Sequence, residues 1–586
     1  MRSGVRLVLT LIGVAVFVSM AFVVLLYVLV SREPSVQQQS TLVLRPSGEL
    51  HERFPDDVVG QFMGSDVTTV RGFVESLRKA SRDSRINTVL LMPGSLNLPF
   101  WAKVQELRDA IVDFRKSGKT VIAFLEYGGD REYYLASAAD RVFLLPTSPL
   151  DLAGVASYEI FLRGTLDKIG AYPDFHHIGD YKTAPNQLTE RSFTPAHREM
   201  SESLNGDMFE QLVRGIATSR RKSEAEVRAL IDQGPFLPED ALRAGLVDDL
   251  AYEDQLDDRV PQLKGGTGGN RRIEDADYRR ISPRSAGIRP RSRVAVIYAV
   301  GVIAGGRSSY DPVNGEVAGS DTLVEQIRQV RDDRSIKAIV LRVDSPGGSS
   351  TASDVIWREL MITRDQNPSR PLVTSMSDLA ASGGYYIAMP GQVIVAQPAT
   401  LTGSIGIYTG KIVTGGTLGK LGLTTETVKS GRNADMYSPL TPFSPEQRTK
   451  VDEYMQAFYD QFVEKVAESR HMTPERVDAM AQGRVWTGQQ ARELGLVDQL
   501  GGLDAAVAIA KQRAHIPVDE DVELVVYPPR RSFYEALAEQ FGGGTSGALT
   551  ALMGRADARA VAALTAPIRL FRRGEPLALM PFAFVR

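Results

Sequence analysis

The stretch SDTLVEQIRQVRDDRSIKAIVLRVDSPGGSS, residues 320 to 350, decides the fold. Its first part has apolar residues at helical spacing, its second is a short run of mostly apolar and β-branched residues, and its third is a glycine-rich loop. The same alternation continues through RVAVIYAVGVI before it and ASDVIWRELMITRD, PLVTSMSD and QVIVAQ after it. Apolar strands separated by helices are typical of sheets covered on both faces, so the sequence predicts an α/β fold with largely parallel sheets.

The chain repeats itself at a nearly constant offset. ALRAGLVDDL at 241–250 matches ARELGLVDQL at 491–500, and EYYLA at 132–136 matches GYYIA at 384–388. DKIG with GKLG, and SFTPAHRE with PFSPEQRT, are separated by 252 and 250 positions. A steady offset over a long stretch indicates two homologous halves, each carrying one copy of the same fold.

The predicted organisation has five parts. A glycine-, arginine- and proline-rich stretch between the halves is typical of a linker, and the segment after the second half has no counterpart in the first. We expect an anchor at 1–32, a first half at 40–262, a linker at 263–291, a second half at 292–520 and a tail with amphipathic helices at 521–586.

The amino terminus carries the expected membrane anchor. The 24 residues from Leu7 to Val30 carry no charge, and as a helix they would span roughly 36 Å, enough to cross a bilayer. A cleaved signal peptide is the alternative, but its apolar region would be shorter and followed by a small-residue cleavage site. Arg2 and Arg6 precede the segment and favour a cytoplasmic amino terminus. The rest of the chain would then lie on the extracytoplasmic, or periplasmic, side of the cytoplasmic (inner) membrane.

Composition removes several function classes. The chain has no cysteine, which excludes disulfides, a thiol nucleophile and cysteine-ligated metal centres. Its six histidines show no metal-binding spacing, and a net charge of -3 gives no signal for nucleic acid. We therefore expect no metal, no cofactor and no nucleic-acid partner, and any nucleophile must be an oxygen or an amine.

Two loops follow predicted strands and carry the candidate chemistry. VDSPGGSS at 343–350 and SDLAASGGYY at 377–386 would lie at the carboxyl ends of parallel strands, where such sheets bind ligands. Ser382 lies between small residues in the second loop, as an exposed hydroxyl or as a helix cap. A serine is a poor nucleophile by itself, so a catalytic role requires a base nearby.

The repeat suggests where that base is. When the halves are aligned at the repeat offset, Ser382 corresponds to Asp130, and Lys182, in GDYKTAPNQ, corresponds to Ala434. The hydroxyl and the amine are therefore each unique to one half. This pattern favours one composite site with Ser382 as nucleophile and Lys182 as general base. The lysine must be neutral to act as a base, and burial between the halves would lower its pKa.

Four further residues are candidates for support. Ser404, in LTGSIGI, could hold the amine by a hydrogen bond. Backbone N–H groups of Gly347 or Gly348 and of Gly383 would face the oxyanion of a tetrahedral intermediate.

A serine–histidine–aspartate arrangement using His177 and Asp344 is the competing hypothesis. Adjacent histidines at a strand end are more often surface residues, which disfavours it.

VDSPGG, SDLAASGGYYIA, LTGSIGI and GDYKTAPNQ together resemble the signal peptide peptidase A family in its long, two-repeat form, also called protease IV or peptidase family S49. The resemblance covers most of 40–520 and the anchor. It implies the caseinolytic protease/crotonase fold in both halves, a Ser382–Lys182 dyad, lysine support from Ser404, and an oxyanion hole lined by Gly347 and Gly383. It also implies a homotetramer on the outer face of the cytoplasmic membrane that degrades signal-peptide remnants.

Two other functions remain open on the sequence. A catalytically silent membrane scaffold that binds peptides or partner proteases would have the same anchor and repeats. An enzyme acting on acyl-coenzyme A would share the fold, but the extracytoplasmic placement disfavours it.

Overall fold

The computed structural model describes residues 33–52, 69–261, 263, 271–311, 315–529, 577–580 and 584–585. The expected anchor at 1–32 lies outside these ranges, and so do the amphipathic helices expected in the tail. In the described ranges, no helix combines the length and apolar character needed to cross a membrane.

The first half is built on a six-stranded sheet in which all neighbouring strands are parallel, in the order β10-β1-β2-β3-β5-β9. Its strands are β1 Ser40–Leu44, β2 Ile86–Leu91, β3 Thr120–Leu125, β4 Gly128–Gly129, β5 Arg141–Leu144, β6 Leu150–Asp151, β7 Ser157–Tyr158, β8 Tyr172–Ile178, β9 Asp249–Leu250 and β10 Arg272–Glu274. Its helices are α1 Val70–Arg82, α2 Ala102–Arg115, α3 Asp130–Ala136, α4 Arg163–Ile169, α5 Asn186–Thr189, α6 Pro195–Arg220, α7 Glu224–Ile231, α8 Pro238–Arg243, α9 Leu256–Arg259 and α10 Asp275–Arg279, with a 3-10 turn at Glu253–Gln255.

The second half has an eight-stranded sheet whose main path runs β21-β19-β17-β15-β11-β23 and is parallel except at β19–β21. Its strands are β11 Ser292–Val300, β12 Val302–Ala304, β13 Ser309–Asp311, β14 Gly315–Gly319, β15 Ile336–Ser345, β16 Gly347–Ser349, β17 Leu372–Ala381, β18 Val393–Ala396, β19 Leu401–Gly403, β20 Ile407–Val413, β21 Val485–Thr487, β22 Gln499–Leu500 and β23 Val522–Tyr527. Its helices are α11 Ser320–Asp332, α12 Ser350–Gln366, α13 Gly383–Ala388, α14 Gly415–Lys420, α15 Pro445–Arg470, α16 Pro474–Met480, α17 Gly488–Leu494 and α18 Leu503–Arg513. The described part of the tail contains two short strands, β24 Leu577–Leu579 and β25 Phe584–Val585.

Several elements of the two halves correspond at the repeat offset. Helices α1 and α11 begin and end 250 positions apart, and so do the long helices α6 and α15. Both long helices start after a hydroxyl residue, Thr194 or Ser444, whose side chain accepts the N–H three residues later and so caps the helix. Tyr133 and Tyr385 are equivalent too: each is fully buried and donates its hydroxyl to a backbone carbonyl, of Leu246 and Leu496 respectively.

A third, mixed sheet joins the halves. It runs β13-β14-β12-β16-β24-β20-β8, and its last pair is antiparallel, with Tyr172 opposite Val413 and Ile178 opposite Ile407. Strand β8 belongs to the first half and β20 to the second. The residues just after β8 are therefore held against the second half.

Part of the expected linker is built into the first half. Strand β10 pairs in parallel with β1, and α10 packs near α1. Tyr278 is fully buried, and its hydroxyl donates to Asp83 at 3.1 Å. The glycine-rich composition that predicts a linker describes the residues before 271, whereas the following Arg-Ile-Glu run forms an edge strand.

Candidate active site

Ser382 lies at the carboxyl end of the second sheet. It directly follows β17, and Ser404 directly follows β19; these strands are parallel neighbours, with Ala381 opposite Gly403. Because parallel strands end at the same edge of a sheet, the two serines are brought side by side. The Ser382 N–H donates to the carbonyl of Gly403 at 2.8 Å, which fixes the turn between strand and helix.

Both serines have backbone conformations that residues with a side chain rarely adopt. Ser382 has φ 56° and ψ -115°, and Ser404 has φ 51°. Conformations of this kind cost on the order of 1–3 kcal/mol each and persist only where the surroundings enforce them. Ser382 occupies the N-cap position of α13, but its side chain makes no capping hydrogen bond to the helix.

Lys182 comes from the loop after β8 in the first half. The loop is fastened to the second half by a hydrogen bond from the Tyr181 N–H to the Gln482 carbonyl, 2.9 Å long. A Cβ atom on Gly483 would lie 2.5 Å from the backbone of Lys182, so this position requires glycine. Gly483 also has φ 77°, in the left-handed region that favours glycine.

The amine and the hydroxyl meet. Lys182 Nζ lies 2.8 Å from Ser382 Oγ, 3.0 Å from Ser404 Oγ and 3.1 Å from the Ser404 carbonyl oxygen. All three residues are fully buried. The distance from amine to hydroxyl is within the range for direct proton transfer.

Burial sets the charge state of the amine. Removal from water lowers the pKa of Lys182 well below its ordinary value of 10.5. The oxygens around Nζ are a hydroxyl pair and a carbonyl, which are neutral and so do not oppose this shift. A lysine in such a place is a base that is ready to accept a proton.

The three glycines lie beside the dyad. Gly347 and Gly348 form β16 with φ 103° and 152°, and a Cβ on Gly347 would come within 2.7 Å of the Gly383 nitrogen. As first residue of α13, Gly383 has an N–H with no acceptor inside the helix. The Gly347 N–H already donates to Ser345 Oγ at 3.2 Å, so the Gly383 N–H is the better supported donor for an oxyanion.

The competing histidine arrangement is not assembled. His177 is exposed, and its Nδ1 contacts the carbonyl of Gly179 at 2.9 Å. Asp344 instead pairs with Lys103, with 2.7 Å between Oδ2 and Nζ. Within the described residues, neither side chain hydrogen-bonds to Ser382 or to the other. Likewise, the part of the chain that the structure describes contains no group of three or more potential His, Asp or Glu metal ligands.

Sequence patterns alone do not identify three contributors to this site. Gly483 is one of many glycines, and only its contact with Lys182 shows its role. Ser345 is buried and accepts from Gly347, although a serine before Pro-Gly-Gly has no special pattern. The third contributor, β24, comes from a tail in which helices were predicted.

Comparison with known proteins places this chain in a family. The profile of peptidase family S49 matches residues 113–266 and 364–517, one match in each half and together more than half of the chain. The chain belongs to peptidase family S49. The two matches fit the tandem repeat, and the family predicted from the four motifs is confirmed.

Relatives of this S49 peptidase are also named as proteases or peptidases. A chloroplastic serine protease SPPA of Arabidopsis thaliana is 35% identical over 77% of this chain and 66% of its own length. Protease 4 of Salmonella typhi is 35% identical over 76% of this chain and 72% of its own. A protein of Enterococcus faecium, named as a candidate signal peptide peptidase SppA, is 38% identical over 32% of this chain and 54% of its own. The predicted enzyme class, a serine protease, is confirmed.

Proposed function

We propose that this S49 peptidase is a membrane-anchored serine endopeptidase that uses Ser382 as nucleophile and Lys182 as general base. The observation that carries the proposal is the 2.8 Å contact between a buried amine and a buried hydroxyl from different halves. A buried neutral amine beside a hydroxyl can activate it without a histidine or a metal.

In acylation, Ser382 Oγ attacks the carbonyl carbon of the scissile peptide bond while Lys182 Nζ takes the hydroxyl proton. Negative charge develops on the substrate oxygen, where N–H groups of Gly383 and Gly348 would stabilise it. When the carbon–nitrogen bond breaks, the Lys182 ammonium returns the proton to the leaving amine. The products of this stage are a free amine and an ester on Ser382.

In deacylation, Lys182 accepts a proton from water as the water oxygen attacks the ester. Collapse of the second tetrahedral intermediate releases the carboxylic acid and returns the proton to Ser382 Oγ. Ser404 accepts hydrogen bonds from the amine through both its hydroxyl and its carbonyl, which keeps Nζ directed at Ser382 in both stages.

The substrate class rests on the sequence and the relatives. The apolar stretch at 7–30 would anchor the enzyme in the inner membrane with the catalytic halves outside the cytoplasm. One relative is named for signal peptides, which are apolar fragments left in that membrane after secretion. We accordingly propose signal-peptide remnants and other apolar peptides as substrates, and a homotetramer as the assembly.

The proposal is tested with a quenched fluorescent apolar peptide and the full chain in detergent. Ser382→Ala and Lys182→Ala should each abolish hydrolysis and retain the melting temperature within a few degrees. A fluorophosphonate should label Ser382 in the unaltered protein and not in Ser382→Ala. Substantial turnover by either folded variant, or no labelling of the folded unaltered protein, would overturn the dyad.

A further inference from the structure

Residues 482–484 of the second half contact both the loop that carries Lys182 and the turn that carries Ser404. The first of the three accepts a hydrogen bond from the Tyr181 N–H, one residue before the base. The last of the three is Arg484, whose carbonyl accepts the Ser404 N–H at 2.7 Å. The backbone of one short segment therefore holds the base loop and the residue that supports the base side by side.

The side chain of Arg484 makes a second set of contacts with the base loop. Its guanidinium lies over the ring of Tyr181, 4.6 Å from the ring centroid, in the manner of a cation–π contact. Its Nη1 donates to one oxygen of Glu199 at 2.7 Å, and the Tyr181 hydroxyl donates to the other oxygen at 2.9 Å. Arg484 belongs to the second half and its two partners to the first. These three side chains form a clamp across the two halves.

The clamp is charged at neutral pH and contributes little to stability by itself. Hydrogen bonds from Arg484 and Tyr181 hold the pKa of Glu199 below its ordinary value, so the carboxylate is ionised. The bond to Glu199 raises the pKa of Tyr181, so its hydroxyl keeps the proton that it donates. The side chains of Arg484 and Glu199 are 16% and 58% exposed, and ion pairs this open to water stabilise a fold only weakly. Its importance must lie in what it positions.

The repeat marks the clamp in the same way as it marks the dyad. Aligned at offsets of 252 and 250, each member corresponds to a residue that lacks its contacting group: Asn433 for Tyr181, Thr449 for Glu199 and Gly234 for Arg484. A role kept by one copy shows as a difference between copies. The clamp, like the dyad, is therefore assembled once, from residues of both halves.

Burial of the two equivalent loops differs in step with the clamp. Lys182 and Thr183 are buried, whereas Asn433 and Ala434, in the corresponding loop of the second half, are exposed. An amine as exposed as Ala434 would keep its ordinary pKa, because water would solvate the charged form. The loop that must keep an amine dry is thus the one that the clamp closes.

We propose that Arg484 is a positioning residue for the general base Lys182. Its clamp keeps the base loop closed against the second half, so the amine stays directed at Ser382 and away from water. Arg484 acts through two neighbours, the ring of Tyr181 and the backbone of Ser404. The inference rests on the proposed function, because it gives Arg484 a part in the same reaction.

The first experiment measures hydrolysis of the quenched apolar peptide by Arg484→Met. This change removes the guanidinium, and kcat should fall about 10- to 100-fold, as expected when a catalytic group is displaced by about 1 Å. KM should not change, so kcat/KM should fall by the same factor. Arg228→Met is the matched control, because Arg228 also pairs with a carboxylate, Glu210, and lies 5.9 Å from the ring centroid of Phe209, all in the first half. A kcat for Arg484→Met equal to that of the control would overturn the proposal.

The second experiment compares pH profiles, which a general loss of structure would lower without displacing. Opening the base loop admits water to the Lys182 amine and raises its pKa towards the ordinary value of 10.5. The rising limb of kcat against pH should therefore move to higher pH in Arg484→Met, by about one pH unit or more. The ¹³Cε titration of Lys182 should move in the same direction. An undisplaced profile and titration would overturn the proposal.

The third experiment attempts rescue by exchange of charge. Arg484→Glu and Glu199→Arg each place like charges together, and each should lower kcat about tenfold or more. The double variant restores an opposite pair and should be about tenfold more active than the worse single variant. Arg484→Lys, which keeps the charge but not the flat stacking group, should retain more activity than Arg484→Met. If Arg484→Met does not fold, these variants decide; a folded double variant no more active than either single one would overturn the clamp.

The outcomes separate the clamp from the dyad. If Lys182→Ala retains turnover, the dyad fails, and the titration of Lys182 in Arg484→Met still tests the clamp without any hydrolysis. If Lys182→Ala is inactive but Arg484→Met has the kcat, the pH profile and the Lys182 titration of the unaltered protein, the dyad stands and the clamp fails.

Discussion

Lys103 and Lys182 are both buried where the two halves meet, and their surroundings differ in charge. Lys103 Nζ lies 2.7 Å from Asp344 and 3.5 Å from Asp378, whereas Lys182 Nζ hydrogen-bonds to serine oxygens. Burial lowers the pKa of both lysines, but attraction to Asp344 and Asp378 outweighs burial at Lys103 and raises its pKa above the ordinary value. The difference shows that neighbouring carboxylates, more than depth, decide whether a buried lysine is an ion or a base.

The interface between the two halves holds a second buried cation that is paired with carboxylates. Arg342 is fully buried; its guanidinium lies 2.9 Å from Glu52 and 2.6 Å from Glu106, both in the first half. Together with Lys103 it joins the halves by ionic contacts. Lys182 joins them by its hydrogen bond to Ser382. Because no carboxylate pairs with this amine, it can be neutral and act as a base.

The largest effect is expected from removing the base. Lys182→Met should reduce kcat by about 10³-fold or more, since general base catalysis contributes up to about four orders of magnitude. Lys103→Met is the matched control: it removes another buried amine, one whose ion pairs are with Asp344 and Asp378. If the two variants lose activity equally while both remain folded, a special role for Lys182 is wrong.

For the free energy of unfolding, we expect Lys103→Met to have the larger effect and Lys182→Met the smaller one. Lys103→Met leaves two buried carboxylates without their cation and should lower the free energy of unfolding by about 3–5 kcal/mol. Lys182→Met should cost much less, because it removes a neutral amine and leaves no buried charge without a partner. Adding Asp344→Asn and Asp378→Asn to Lys103→Met should recover part of the loss. Urea denaturation measures the free energy of unfolding of these three variants and of the unaltered protein. An equal loss for the two single lysine variants would contradict the pairing.

A carboxylate introduced beside Lys182 should make it resemble Lys103. Ser404→Asp suits the left-handed backbone at this position, since aspartate tolerates it, and its charge would raise the pKa of the amine. Hydrolysis at neutral pH should drop about 10- to 100-fold and return as the pH is raised. Ser404→Asn, of the same shape without charge, should leave the pH profile in place. A Ser404→Asp profile that superimposes on that of Ser404→Asn would argue against electrostatic control.

The smallest expected effect is a pH dependence of stability. Between the lowered pKa of Lys182 and its ordinary value of 10.5, the unfolded chain binds a proton that the folded chain does not. Stability should therefore rise with pH in this window, by up to about 1.4 kcal/mol per unit. Lys103, with a raised pKa, contributes fully below 10.5 and loses its contribution only above. The slope should disappear in Lys182→Met and persist in Lys103→Met; an unchanged slope in Lys182→Met would assign it to other groups.

The sequence predicts that two halves meet at a shared site. Internal repetition reveals two halves, and the mismatch between them at Ser382 and Lys182 indicates a shared site, because a role kept by one copy shows as a difference between copies. The α/β alternation predicts the parallel sheets, since buried strands are apolar throughout. These inferences depend on local patterns and on comparison of the halves.

The remaining features depend on contacts between distant segments. No local pattern tells that β8 pairs with β20, that Gly483 makes room for Lys182, or that Glu52 reaches Arg342. The tail strand is the clearest case, because three residues that pair with β16 carry little signal of their own. Strand pairing far apart in sequence is set by the assembled core, which single-sequence patterns do not describe.

The central claim is that the Lys182 amine loses its proton well below the ordinary lysine value, and a direct titration tests it. The protein would be labelled with ¹³C at the lysine side chains, and the Cε signal of Lys182 assigned as the one missing from Lys182→Met. We expect this signal to titrate well below pH 10.5, with catalysis rising over the same range, while the signal absent from Lys103→Met remains that of an ammonium. A Lys182 signal that stays protonated up to the ordinary lysine value, in an active enzyme, would contradict the role of this amine as the base.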